Sequence, residues 1–149
     1  MIPINQILKL NYKFNQSVYN ILNKMIPYKL GRIFVYLTDP FWSTNGVFDL
    51  QNYKKNELHT REVYFYRKDN IGLIMLYFDE IFFDFWKSKN KSEIKNHFEI
   101  NGFKNIIDIQ TFYWDGIDNP NAFYYLDKGV EPNYAIDSLY NADNNLHII

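Results

Sequence analysis

Apolar residues recur at spacings of three and four along the first part of the chain (Ile4, Ile7, Leu8, Phe14, Val18, Ile21, Leu22, Met25), the period of one helical face. Pro3 suits the first turn of such a helix. The polar stretch Asn11–Asn15 interrupts it, Ser17 offers a fresh N-cap for Val18–Ile26, and Pro27 closes it. The pattern then changes. Arg32–Leu37 is short, β-branched and aromatic, and ends at Asp39-Pro40, as a strand does. Asn45-Gly46 signals a turn before a short extended piece, Val47–Leu50, and Gln51–Thr60 is polar enough for a loop or one helical turn. In Arg61–Arg67, Val63 and Phe65 alternate with Tyr64 and Tyr66; Lys68-Asp69-Asn70 turns the chain and Gly72–Phe78 returns as a buried strand.

Asp79–Lys87 places Ile81, Phe82, Phe85 and Trp86 on one helical face, with Asp79 as its cap, and Ser92–Ile100 predicts a second helix stopped by Asn101-Gly102. Asn105–Trp114 and Ala122–Leu126 read as strands ended by Asp115-Gly116 and Lys128-Gly129; Pro132–Tyr140 reads as a short helix and Leu146–Ile149 as an edge segment. Strands joined mostly by turns, without regular alternation with helices, predict an α+β fold. The expectation is an antiparallel β-sheet of about five to six strands, with an N-terminal helix and two or three further helices packed on it.

The 149 residues suit a single globular domain spanning 1–149, large enough to bury roughly 70% of the surface exposed when unfolded. With 13 Phe, 13 Tyr and 3 Trp, the chain holds more rings than a small core needs, so some Tyr and Trp belong at the surface. Asn, Lys and Ile are also abundant, as in AT-rich genomes, and that bias supplies part of the aromatic excess. The absence of cysteine excludes disulfides, a thiolate nucleophile and a Cys-ligated zinc site. Asn5, Gln6, Lys9, Asn11 and Lys13 break any secretory apolar core in the first 26 residues. The longest apolar run, Ile71–Phe78, falls far short of the ~20 residues of a membrane helix. These features predict a cytoplasmic protein without a membrane partner.

Candidate chemistry is sparse, and the expectation is a protein without a catalytic site, metal or cofactor. His59 lies in Glu57-Leu-His59-Thr-Arg61-Glu62; a general base would have such neighbours, but an ordinary polar loop is the better reading. His97 falls on a polar helix face and His147 in the terminal segment; neither has the i, i+4 partner of a zinc protease helix. No serine sits in a Gly-x-Ser-x-Gly elbow, and no glycine-rich run could cradle phosphate. Asp115, Asp118, Asn119 and Asn121 offer oxygens without the spacing of a calcium loop, and an Asx turn explains them. Asp79, Glu80 and Asp84 suit the first turn of a helix. Lys87, Lys89, Lys91 and Lys95 form the one basic cluster, but a net charge of −1 argues for a solvated helix end rather than a nucleic-acid groove.

The near-neutral total conceals a split. Residues 1–104 carry 15 Lys/Arg against 10 Asp/Glu, whereas 105–149 carry seven acids against Lys128 alone. The acidic part is also rich in rings. Asp115, Asp118, Asp127, Glu131 and Asp137 thus form a candidate rim around Trp114, Tyr124, Tyr125 and Tyr134, the composition of an interface for a basic protein. Occluding such a partner is the job of an immunity protein that neutralises a bacterial toxin domain, often a nuclease with a basic active site. That expectation rests on job and physics, since no motif carries it. An enzyme or ligand-binding domain with an aromatic-lined pocket and an adaptor without a toxin partner are the alternatives.

Overall fold

The computed structural model describes residues 7–9, 12–42, 46–47, 53–116 and 123–140. The fold is α+β. Among the described residues it comprises, in order, α1 (Gln16–Leu22), β1 (Met25–Tyr28), β2 (Leu30–Thr38), β3 (Gly46–Val47), β4 (Glu62–Lys68), β5 (Ile71–Asp79), α2 (Glu80–Lys87), α3 (Lys91–Ile100), β6 (Ile106–Trp114), β7 (Phe123–Leu126) and α4 (Pro132–Tyr140). The strands form two antiparallel sheets, β1-β7 and β3-β4-β5-β2-β6. The chain divides into two compact units, 1–28 with 120–149, and 29–119. The expected edge segment Leu146–Ile149, and most of Val47–Leu50, lie outside the described residues.

In the first unit, Asn15 rather than Ser17 caps α1: its side chain accepts from the Val18 amide at 2.9 Å, and Ser17 hydrogen-bonds the same oxygen. The helix stops at Leu22, four residues short of the expected Ile26, and Met25–Tyr28 is a strand. Two effects drive this departure. A residue before proline is pushed out of the helical region, here Ile26, and β7 supplies an extended partner, pairing Pro27 with Tyr124. A two-stranded sheet consists only of edges, where proline's missing N–H is tolerated. Val18 and Leu22 pack with Met25, Tyr124 and Leu139, which tie α1, β1, β7 and α4 into one small core.

In the second unit the sheet's alternation sets two faces. Ile33, Val35 and Leu37 of β2, Val63 and Phe65 of β4, and Ile74, Leu76 and Phe78 of β5 point to one side. There they pack on Phe83 and Trp86 of α2 and on Ile94 and Phe98 of α3. Gly31 is opposite Phe78 in the ladder, and a Cβ built on it would lie 2.2 Å from that ring, so only glycine fits without moving the ring. Asp79 takes the N-cap position of α2 as expected, but its side chain turns to Arg61 (3.4 Å) instead of capping the helix. α3 begins one residue early because Asn90 and Glu93 form a reciprocal capping box.

Candidate functional site

The nine residues expected to form one acidic aromatic rim are distributed between the units. Trp114 and Asp115 belong to the second, Tyr124, Tyr125, Asp127, Glu131, Tyr134 and Asp137 to the first, and Asp118 lies outside the described residues. Asp115 departs from the expectation of an exposed carboxylate. Its side chain is only 4% exposed and pairs with Lys87 at 3.4 Å, while the Lys87 ammonium sits 5.0 Å from the Tyr113 ring centre. Tyr124 is half-buried against Val18 and Leu22, so it serves the core rather than the rim.

Tyr125 and Tyr134 are exposed, as are Asp127, Glu131 and Asp137. Local structure uses some of these carboxylates: Glu131 accepts from the Tyr134 amide at 2.6 Å, capping α4. The charge split along the chain also disappears in the folded unit. Lys9, Lys13, Lys24 and Lys128 share it with Asp127, Glu131, Asp137 and Asp143, a formal balance of zero. The C-terminal acidity is thus offset by the segment it folds with.

A different surface emerges on the side of the five-stranded sheet that faces away from α2 and α3. Cross-strand register arranges it in rows. One row runs Glu62, Tyr77, Arg32, Phe112; the next Tyr64, Met75, Phe34, Gln110; the third Tyr66, Leu73, Tyr36, Asp108. These side chains are half-buried or exposed, although many are large and apolar. Phe112 is 43% exposed and stands at the lattice's edge, stacked with Trp114 (6.4 Å) and edge-on to Phe34 (5.7 Å). The Arg32 guanidinium lies between two rings, 5.6 Å from Tyr77 and 5.9 Å from Trp114. The Tyr64 hydroxyl donates to Glu62, and the carboxylate's acceptance of that proton holds the phenol above its ordinary pKa.

The basic cluster on α2 and α3 is internally satisfied. Lys87 pairs with Asp115, Lys89 lies 4.4 Å from the Phe85 ring centre, Lys91 donates to Asp108 at 2.6 Å, and Lys95 approaches Glu99 at 3.9 Å. The Lys91 ammonium holds the Asp108 carboxyl below the usual range. Sequence distance separates His59 from His97, but the fold brings them together. Their rings are 5.4 Å apart, with His59 stacked on Phe85 at 4.1 Å. His59 Nδ1 and His97 Nε2 each lie 3.0 Å from the Glu57 carbonyl oxygen, and the His59 carbonyl accepts from the Trp86 indole. Burial, chiefly, pushes the His97 pKa below its ordinary value, and the nearby His59 and Lys89 add to this. This arrangement fastens the 53–60 segment to α2 and α3. Among the described residues no three metal-ligating side chains converge.

The sheet-face lattice was missed as a site although its signal is present in the sequence: Tyr64 and Tyr66, Phe34 and Tyr36, Phe112 and Trp114 each occupy one parity of a strand. Comparison with protein-family models, curated proteins and solved structures yields no match for this chain.

Proposed function

We propose that this chain is a non-catalytic binding protein that occludes a protein partner, the role expected of an immunity protein, and that its docking surface is the open face of the five-stranded sheet. The observation that carries this reading is the three-row lattice of six half-buried or exposed rings, with Arg32 in its first row. Rings and arginine are the residue types that anchor interfaces, because they present large rigid area at low entropic cost. The sheet holds them fixed before a partner arrives, which reduces the ordering cost of binding. Arg32 then favours a carboxylate on the partner opposite that first row.

A second reading keeps a basic partner and the first unit. The exposure of Tyr125 and Tyr134 together with Asp127, Glu131 and Asp137 supports it. Affinity capture from the native host, followed by titration of the captured protein, separates the two. If the sheet face docks, Phe112→Ala and Arg32→Glu weaken binding at least tenfold while Asp127→Lys leaves it unchanged. The reverse pattern selects the acidic face, and a partner insensitive to all three overturns both.

A further inference from the structure

We propose that the cleft between α3 and β6 binds a small free carboxylic acid, as its anion, with an apolar body, independently of any protein partner. The cleft holds ≈ 340 Å³ and is lined by Lys91, Ser92 and Lys95 of α3 and by residues 106–109 of β6. Small-molecule sites begin at about this volume, and they combine an apolar floor with a few polar groups in the same way.

The floor comes from an irregularity of the strand. The ladder pairs Leu37 with Ile106 and Tyr36 with Asp108, so Ile107 is an extra residue. A bulge re-aims the side chains around it. Here Ile106 and Ile109 both join the core, while Ile107 stays 59% exposed, and all three isoleucines line the cleft.

The polar groups carry unequal charge. Lys91 donates to Asp108 at 2.6 Å and so joins the two walls, while the second Asp108 oxygen accepts from Gln110 at 3.3 Å. That carboxylate is supplied with donors and balances one ammonium. Lys95 is the other cation of the lining. Its pair with Glu99, at 3.9 Å between half-exposed side chains, is worth little and exchanges readily for a ligand carboxylate. One net positive charge is left in the cleft, which matches a monoanion rather than an amine. The Ser92 hydroxyl can donate to the same anion. The apolar body of the ligand then covers Ile107.

Chemical-shift titration of the full chain with hydrocinnamate tests this. Amide resonances of residues 91–95 and 106–109 should shift and saturate. An open site and a ligand this small predict a Kd of about 1 mM. Hydrocinnamamide, the same body without the charge, should bind about threefold to fivefold more weakly. Lys95→Gln should remove that difference, and Lys95→Arg should keep it. Ile107→Ser should weaken both ligands about tenfold. Circular dichroism verifies that these variants, all on exposed side chains, remain folded. A peptide C-terminus shares the carboxylate chemistry, so a tripeptide ending in leucine serves as the comparison and should bind no tighter than the free acid. Shifts elsewhere or without saturation, equal affinity for acid and amide, indifference to Lys95→Gln or Ile107→Ser, or tighter binding of the peptide overturns the proposal.

Discussion

His59 and His97 converge on one acceptor: ring nitrogens of both lie 3.0 Å from the Glu57 carbonyl oxygen. A carbonyl has two lone pairs, and this one serves both imidazoles. The pair therefore clamps the 53–60 segment, whose Leu58 is fully buried, onto Trp86 and its neighbours.

The clamp predicts acid sensitivity. Because burial depresses the His97 pKa below 6.5, the unfolded chain binds protons more readily as pH falls through that region. Stability from this group is complete above pH 6.5 and declines on acidification until His97 is protonated in the folded state too. Urea unfolding at pH 7.5 and 5.5 measures the effect, and His97→Gln should flatten this part of the pH dependence. An unchanged slope in the variant would assign the acid sensitivity to other groups.

Gly31 makes a second, independent prediction. A Cβ there meets the Phe78 ring at 2.2 Å within a filled core, so Gly31→Ala should cost about 1–3 kcal/mol by overpacking. Combining it with Phe78→Leu should cost less than the sum of the two single changes, because the smaller side chain vacates the space. Denaturant midpoints of the wild type, both single variants and the double variant complete the cycle. Strict additivity would show that the ring moves aside freely.

Asp115 separates stability from binding. With its carboxylate 4% exposed beside Lys87, Asp115→Lys places like charges together and should lower stability by about 2–4 kcal/mol. Asp127→Lys, on an exposed side chain whose carboxylate accepts only from the neighbouring Lys128 amide at 2.7 Å among the described contacts, should change stability by about 1 kcal/mol or less. Thermal and urea unfolding compare them. Equal effects would mean that the Lys87 pair contributes little to the fold.

These contrasts show what the sequence could reveal. The hairpin from Glu62 to Asp79 was legible because alternation and turn chemistry agree: Asp69 takes the left-handed conformation (φ 55°) that the Lys68-Asp69-Asn70 turn requires. β1 was hidden by the helical period of Ile21, Leu22 and Met25, which local pattern alone could not distinguish from a strand paired with β7, about a hundred residues away. For the same reason, charge read along the chain exaggerates the local acidic excess: the fold returns Lys9, Lys13 and Lys24 to the unit that holds Asp127, Glu131 and Asp137. The rings of the sheet face were visible as alternation, but which face the helices leave open depends on where α2 and α3 pack.

Phe112 tests that open face most directly. At 43% exposure, and with Phe34 and Trp114 as its ring neighbours, it contributes modestly to the core, so Phe112→Ala should cost about 1 kcal/mol of stability or less. A docked partner would bury the same ring fully. The variant should then lose at least tenfold in affinity, about 1.4 kcal/mol or more, mainly through faster dissociation. Arg32→Lys sharpens the test, because lysine keeps the charge but loses the planar stacking between Tyr77 and Trp114. A weakened complex with Arg32→Lys identifies the planar stack as the contact. Full retention with Lys but loss with Ala identifies charge alone. Binding untouched by Phe112→Ala, in a variant shown to be folded, removes the sheet face from the interface.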